Sequence, residues 1–157
     1  MSTDDQIVSE SITIDAPPSV VFDILADPRQ HSRIDGSGTV KGVTIGPERL
    51  SRGAQFGASM KMFGMPYRIK NTVVEFNADQ RIAWRHFGGH RWRYELEALG
   101  DTQTRVTESF DYSRYKGAAA GAIKAAKFPA RNRQGIEYTL VKLKAAAEED
   151  AATKSRS

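Results

Sequence analysis

Six short segments of alternating character follow one another between residues 40 and 112, and they constrain the fold more than any other feature of the chain. They span residues 40–45, 54–63, 67–76, 81–87, 91–99 and 103–112, and turn-forming residues such as glycine, proline and asparagine separate them. Alternation with a period of two is typical of half-buried β-strands. Parallel strands would need long, usually helical, crossovers between them, and the connections here are short. The segments therefore predict an antiparallel meander.

Further elements flank this meander. Residues 7–14 alternate as another strand, and a proline-containing turn at residues 15–19 ends it. An apolar stripe then predicts a short helix that ends near Asp27-Pro28, followed by a second helical turn up to Ile34. After residue 112, a weak helical segment is predicted over 117–127 and a main C-terminal helix over about 130–147.

The C-terminal helix carries one apolar stripe, formed by Ile136, Leu140, Leu143 and Ala147. A sheet with one apolar face must bury that face against another element, and this helix is the only element long and amphipathic enough to do so. The sequence therefore predicts an α+β fold, in which a curved antiparallel sheet of about seven strands wraps around the helix. We expect a single domain over residues 1–150 and a disordered tail over residues 151–157.

Several functional classes lack their sequence signals. The chain of 157 residues has no cysteine and only three histidines, and neither an H-x-H nor an H-E-x-x-H motif occurs, so we expect no metal and no cofactor. Neither a phosphate-binding glycine loop nor a G-x-S-x-G motif is present. The acidic N-terminus and the lack of a long apolar run predict a cytoplasmic protein without integral membrane association.

The net charge of +4 raises the question of nucleic-acid binding. Most basic residues have acidic neighbours and are typical of a solvated surface. The exception is a basic cluster at residues 124–133, formed by Lys124, Lys127, Arg131 and Arg133, which could dock an anionic ligand or partner. Single-stranded nucleic-acid sites interleave aromatic residues with basic ones, and only Phe128 lies in this cluster. We therefore expect no nucleic-acid partner.

A set of short motifs over residues 7–147 carries a resemblance to a known superfamily. They are Ile14-Asp15-Ala16-Pro17-Pro18-Ser19-Val20-Val21-Phe22, Ala26-Asp27-Pro28 with His31, Val73-Val74-Glu75-Phe76, Ile82-Ala83-Trp84, Trp92-Arg93-Tyr94-Glu95-Leu96, Thr104-Arg105-Val106-Thr107-Glu108-Ser109-Phe110-Asp111, and Gly135-Ile136 to Leu143. With them the chain resembles the START-like helix-grip superfamily, and specifically its polyketide cyclase/dehydrase branch. Relatives often have tryptophan three residues after the histidine, and Ile34 stands at that position here.

The resemblance implies a hollow between sheet and helix, and members of this superfamily carry lipids, bind hormones, cyclise polyketides or assist other proteins. Strand periodicity predicts which side chains face that hollow. The candidate ligand-binding residues are Phe56, Met60, Tyr67, Asn71, Trp84, Trp92, Tyr94, Phe110 and Tyr112 from the strands, with Ile136 and Leu140 from the helix. Apolar walls with a few polar groups are typical of a small-molecule pocket.

His86 and Glu108 fall on inward positions and form the candidate catalytic pair. Burial of the Glu108 carboxyl group would favour its protonated form, which suits proton transfer with His86. The simpler alternatives are that Glu108 pairs with an arginine and that His86 is satisfied by Tyr94 or lies at the rim. His31 is expected at a helix end or turn, near the mouth of the hollow.

Two functions remain open from the sequence. The first is a binding module that holds a small hydrophobic molecule, lipid-like or aromatic, between sheet and helix. The second is an enzyme of the cyclase/dehydrase kind, in which His86 and Glu108 move protons on a poly-carbonyl substrate while donors such as Tyr94 stabilise its enolates. For the assembly we expect a monomer or a homodimer.

Overall fold

One antiparallel sheet organises the fold. The computed structural model describes residues 7–34, 46–62, 65–85, 91–111 and 128–156. Within these ranges six strands follow the order β1-β6-β5-β4-β3-β2. Their bounds are β1 Ile7–Ile14, β2 Gln55–Met62, β3 Met65–Asn77, β4 Arg81–Arg85, β5 Arg91–Ala98 and β6 Thr104–Asp111. The predicted α+β helix-grip class is confirmed with six strands instead of about seven, since the strand expected at 40–45 lies outside the described residues.

Two short helices follow β1, as predicted. They are α1, Pro18–Leu25, and α2, His31–Ile34, with a 3-10 turn at Pro28–Gln30 between them. Pro18 occupies the first turn of α1, where a missing backbone N–H costs nothing. The Asp27 carboxylate accepts a hydrogen bond of 3.0 Å from the backbone N–H of Arg29 and so caps the 3-10 turn.

The C-terminal helix α3 spans Phe128–Arg156 and is longer than the sequence predicts. A disordered tail was expected from Ala151, whereas the helix continues to Arg156. Arg33 of α2 explains the difference, because its Nη1 and Nη2 atoms donate to the two carboxylate oxygens of Asp150 at 3.1 and 3.0 Å. Ala151 also packs against the core. The weak helix expected over 117–127 lies outside the described residues.

A β-bulge in β3 changes which side chains face the helices. We call the sheet face toward the helices the inner face, and the opposite side the outer face. Asn71 and Val73 are buried on the inner face, and the register to β4 then shifts between Val73 and Glu75. After this bulge Phe76 points inward, where its ring meets that of Phe22 edge-on at 5.3 Å. Glu75 is consequently placed on the outer face.

Helix α3 packs mainly on the β1 and β6 side of the inner face and against the short helices. Its stripe residues Ile136, Leu140 and Leu143 are buried there. Lys144 Nζ donates to the carbonyl oxygen of Thr13 at 3.1 Å, and the backbone N–H of Asp15 donates to Glu148 Oε2 at 2.9 Å. These contacts fix the helix along β1. No helix in the described ranges is both long and apolar enough to span a membrane.

Candidate ligand site

Four rings meet on the inner face, between the middle of the sheet and α2. Trp84 lies at the centre, and the His31 ring stacks on it with a centroid distance of 4.9 Å and an interplanar angle of 21°. Phe56 meets the Trp84 ring edge-on at 5.4 Å, and Tyr94 lies tilted against it at 5.6 Å. We call these four residues the Trp84 cluster. Its offset and edge-on geometries are those that aromatic pairs favour.

Strand periodicity places three members of the Trp84 cluster, since Phe56, Trp84 and Tyr94 occupy inward positions of β2, β4 and β5. All three are buried. Ile82 is the direct cross-strand partner of Tyr94, and Trp92 is that of Trp84. Trp84 and Tyr94 are therefore diagonal neighbours across the ladder, a separation that aromatic side chains can bridge. The inward assignments made for these positions from the sequence agree with their burial.

His31 is added to the cluster by the turn that precedes α2. Its Nε2 atom lies 2.9 Å from the carbonyl oxygen of Leu25. A carbonyl oxygen can only accept, so Nε2 carries the proton in this hydrogen bond. Burial lowers the pKa of His31, and it outweighs the opposing effects of the Leu25 hydrogen bond and the Asp27 charge. The ring is therefore neutral near physiological pH, and its Nδ1 atom is a hydrogen-bond acceptor.

Asn71 brings a polar group to the edge of this cluster. It lies directly across the β2–β3 ladder from Phe56 and is only 2% exposed. Its Oδ1 atom is buried, and no donor from the described part of the chain reaches it. An unsatisfied buried acceptor costs about 1–3 kcal/mol, so this atom has an unmet demand for a hydrogen-bond donor.

Glu108 lies deep on the inner face of β6 and is 3% exposed. Tyr94 is its direct cross-strand partner on one side, and Glu10 of β1 is its partner on the other. Arg133 of α3 donates from Nη1 to Glu10 Oε1 at 2.9 Å. The carboxyl groups of Glu10 and Glu108 thus lie on neighbouring strands near the helix, and Arg133 pairs with that of Glu10.

The remaining predicted site residues are distributed as follows. Phe110 is buried and meets the half-buried Trp92 at 4.9 Å, and Ile136 and Leu140 are buried on α3. Met60 and Tyr67 are direct partners in the β2–β3 register. His86 and Tyr112 lie outside the described residues. A contact between His86 and Glu108 is therefore a proposal.

A concavity of about 930 Å³ lies away from the Trp84 cluster. Charged side chains line it, among them Glu75, Arg81, Glu95 and Arg105, and none of its lining residues comes from α3. Arg81 pairs with Glu75 at 3.2 Å and with Glu95 at 3.5 Å. Four acidic and three basic residues line this concavity, so most of its charges are balanced. Among the described residues no group of three potential metal ligands occurs.

Sequence reasoning missed two residues of the site. His31 begins α2, so the helix end expected for it is confirmed. The stacking of its ring within the Trp84 cluster was not predicted, because it depends on the turn at Asp27 and Pro28 that directs the chain over the sheet. Glu10 was not singled out, since nothing in the sequence shows that β1 pairs with β6. Ile34, at the position where relatives often have tryptophan, is a buried core residue.

The fold and the site together define an α+β helix-grip domain with an aromatic inner face. The sequence profile of the family described as "Polyketide cyclase / dehydrase and lipid transport" matches residues 5–148. The chain therefore belongs to this family.

A curated protein is also similar to this chain. The chain is 46% identical over 143 residues to the uncharacterized protein Rv0088 of Mycobacterium tuberculosis, and the match covers 87% of this chain and 62% of that relative. The chain thus spans less than two thirds of the length of the curated relative.

Two solved structures share the fold. One is protein Ms6760 from Mycobacterium smegmatis, with a TM-score of 0.71, 16% identity and 95% of each chain covered. The other is the Zhui aromatase/cyclase from Streptomyces sp. R1128, with a TM-score of 0.64, 17% identity and 96% of each chain covered. At these identities the likeness shows the fold alone.

Proposed function

We propose that this protein binds a small hydrophobic molecule, aromatic and polyketide-like or lipid-like, between the sheet and the helices α2 and α3. The observation that carries the proposal is the Trp84 cluster, together with the buried carboxamide of Asn71 beside it. Flat aromatic walls provide affinity for an apolar ligand, and a single polar group fixes its orientation. The family description and the aromatase/cyclase neighbour support this class of ligand.

The pattern of burial also supports the proposal. Asn71 lies across the ladder from Phe56, and its Oδ1 atom accepts no hydrogen bond from the described part of the chain. Buried polar groups in folded proteins are satisfied in the large majority of cases. A residue that only stabilised the core would serve better as leucine. A ligand that forms a hydrogen bond with Asn71 would satisfy the buried amide and so explain why it occurs there.

Native mass spectrometry of the protein purified from its own host tests the proposal. We expect a population with added mass that is lost on mild unfolding, because a buried apolar ligand dissociates when its walls separate. An aromatic, carbonyl-rich mass supports the polyketide-like ligand, and a fatty or isoprenoid mass supports the lipid-like one. Ligand-free protein that also binds no hydrophobic probe in calorimetry would refute the binding function.

A cyclase/dehydrase activity is the second candidate, and the burial of Glu108 beside Tyr94 favours it. A buried carboxyl group can exchange protons with a bound substrate, and a phenol can donate to an enolate oxygen. The proposed partner is His86, within hydrogen-bond reach of the same substrate position.

Glu108→Gln separates the two functions, since it keeps the shape of the side chain and removes its proton chemistry. If the protein is an enzyme, this variant binds the ligand with little change and loses turnover of a poly-carbonyl substrate by at least about a hundredfold. The matched control is Glu97→Gln on the exposed end of β5, which should leave turnover unchanged. Equal turnover in wild type and Glu108→Gln would remove Glu108 from the reaction.

A further inference from the structure

The outer face of the sheet divides into two halves that differ in charge balance. In one half, around β5 and β6, Arg81, Arg93 and Arg105 each form an ion pair with a carboxylate. The other half consists of the outer-face positions of β2 and of β3 up to Thr72, with the adjoining ends of β4 and β5. Its charged residues are all basic, and we call them the basic end: Lys61, Arg68, Lys70, Arg85 and Arg91.

The charges of the basic end are poorly neutralised. Lys70 and Arg85 are exposed, and neither forms an ion pair within the described part of the chain. Arg85 lies directly across the β4–β5 ladder from Arg91, and like charges in this position destabilise a sheet. Arg91 lies 3.9 Å from Glu75, whereas Arg93 reaches the same oxygen at 2.8 Å. An anionic partner on this half of the face would relieve the repulsion.

The basic end is spread over four neighbouring strands, β2 to β5. Thr72 is the direct partner of Arg85, so Lys70 stands diagonally across that ladder. Adjacent strands lie about 4.8 Å apart. Small ligands are usually bound in concave sites by groups that converge, and the concavity of about 930 Å³ is lined by other residues. Charges distributed in this way match an extended anionic surface better than a small anion.

The hairpin formed by β2 and β3 carries apolar residues on its opposite face. Met60 pairs with Tyr67, and Met62 pairs with Met65. All four occupy inner-face positions, because they follow the period of two from Phe56, which is buried there. Helix α3 packs at the other edge of the sheet, on β1 and β6. The end of the hairpin therefore combines a basic face with an apolar face.

An anionic lipid surface offers partners for both faces of the hairpin. Its headgroups attract lysine and arginine, and the boundary with the acyl chains accepts apolar side chains. An acidic protein or a nucleic acid would engage the basic face alone. We propose that the end of the β2–β3 hairpin docks the protein on anionic lipid membranes. The basic end faces the headgroups, and the methionines of the hairpin enter the interfacial region.

This inference goes beyond the proposed ligand and does not depend on it. The docking surface lies at the end of the hairpin, whereas the proposed ligand site is built around the Trp84 cluster. A protein with an empty site would still dock on a membrane, and a protein that binds its ligand would not need to dock. The two proposals can therefore fail separately.

Cosedimentation of the protein with lipid vesicles tests the inference. One set of vesicles contains phosphatidylcholine alone, and the other also contains the anionic lipid phosphatidylglycerol. We expect binding to the anionic vesicles to be at least about tenfold tighter, since each lysine or arginine near such a surface favours binding about fivefold. The preference should disappear at about 1 M salt, where the screening length falls to about 3 Å.

The double variant Lys70→Gln/Arg85→Gln assigns the binding to the basic end. Loss of two charges should weaken binding to the anionic vesicles about 25-fold. The matched control is Arg81→Gln/Arg105→Gln, which removes two arginines that are 48% and 52% exposed in the other half of the same face. It changes the net charge equally and should retain binding within about threefold.

Soluble polyanions and one apolar variant distinguish a membrane from other partners. Polyglutamate represents an acidic protein and a single-stranded oligonucleotide represents a nucleic acid. We expect both to bind more weakly than the anionic vesicles. Met62→Ser should weaken vesicle binding about fivefold, because it removes apolar surface from the interfacial region. It should leave binding of the two soluble polyanions unchanged.

NMR of the wild type with anionic nanodiscs locates the surface without any variant. The backbone amide resonances of Lys70 and Thr72 should broaden, whereas those of Arg105 and Thr107 should not. Several results would overturn the inference: no binding to anionic vesicles, equal binding to neutral ones, equal losses in the two double variants, unchanged vesicle binding in Met62→Ser, or tighter binding of a soluble polyanion. Each would leave the proposed ligand intact, because native mass spectrometry tests it without vesicles.

Discussion

The two faces of the sheet are stabilised by different interactions, apolar packing on the inner face and ion pairs on the outer face. On the inner face, rings and aliphatic side chains exclude water, with Trp84 and Tyr94 at 8% and 4% exposure. On the outer face, Glu75 joins three arginines, and Arg93 donates to Glu75 Oε2 from Nε at 2.9 Å and from Nη2 at 2.8 Å. Arg93 also reaches Asp111 at 3.4 Å.

The comparison shows that one alternating sequence pattern encodes both faces. Apolar burial is non-directional and tolerates a ligand in place of a side chain, because its energy depends on area. The outer-face network depends on hydrogen-bond geometry and cannot be replaced so freely. The inner face is therefore where a binding site can develop without loss of the fold, and the outer face keeps the strands in register.

The largest effect should come from Trp84→Ala. Removing a large buried aromatic side chain from a packed core costs about 3–5 kcal/mol of unfolding free energy. Urea denaturation measures this loss, and Trp92→Ala, at a half-buried position of the same ladder, should cost clearly less. If Trp84→Ala cost less than about 1 kcal/mol, the rings around it would contribute little to stability and the contrast between the faces would fail.

Glu75→Gln tests the outer face and should have the next largest effect. It leaves Arg93 and its neighbours with a weaker partner, and hydrogen bonds to charged groups contribute about 1.5–3 kcal/mol. The control Glu97→Gln breaks a pair with Arg105 at 3.6 Å, in which the glutamate is 66% exposed. Such exposed pairs contribute about 0–1 kcal/mol. Equal losses in the two variants would show that the Glu75 network is an ordinary surface feature.

The pH dependence of stability should distinguish the two faces, because a group on each face titrates in a different pH range. Because the pKa of His31 is lowered in the fold, the unfolded chain binds the proton more readily, and stability falls as the pH drops below about 6.5. Burial opposes ionisation of Glu75, but Arg93 and then Arg81 outweigh it and hold its pKa below the usual range. The contribution of Glu75 is therefore present at neutral pH and is lost only below about 4.3.

Two variants assign these windows. His31→Phe keeps a ring on Trp84 and should flatten the stability profile just below about pH 6.5, whereas Glu75→Gln should flatten only the more acidic part. Chemical denaturation at a series of pH values measures both slopes. An unchanged upper slope in His31→Phe would mean that His31 is not the group that titrates there.

The smallest effect should come from Arg133→Ala. Arg133 pairs with Glu10 on the inner face, but the two side chains are 55% and 31% exposed. Such a pair contributes about 0–1 kcal/mol. Thermal unfolding at low and high salt measures it, and the small difference from wild type should shrink further as salt screens the pair. A loss comparable to that of Glu75→Gln would show that the face, and not the exposure, sets the strength of an ion pair here.

The sequence predicts the local pattern of the fold well and its long-range pairing poorly. Alternation assigned Trp84, Tyr94 and Phe110 to one face, because the side-chain period of a strand is fixed by its geometry. The bulge after Val73 could not be predicted, since it inserts one residue into β3 without a mark in the pattern. The extent of α3 was also missed, because the Arg33–Asp150 contact joins residues 117 positions apart.

In the candidate site, too, local pattern could be predicted and long-range contacts could not. Its strand residues could be predicted, whereas His31 depends on how a 3-10 turn directs the chain over the sheet. His31 Nδ1 is an acceptor because Nε2 donates its proton to the Leu25 carbonyl oxygen. That hydrogen bond depends on the folded position of the ring. No spacing rule in a single sequence contains that information.

The pairing of β1 with β6 has a consequence for how the chain folds. Ser11 and Thr107 hydrogen-bond across this ladder at 2.8 Å, although they are 96 positions apart in the chain. The hairpins from β2 to β6 can form from neighbouring residues soon after synthesis, but the first strand must wait until the last strand has left the ribosome. Since distant contacts pay their loop-closure entropy before they gain energy, we expect the pairing of β1 with β6 to be the slow step of sheet assembly.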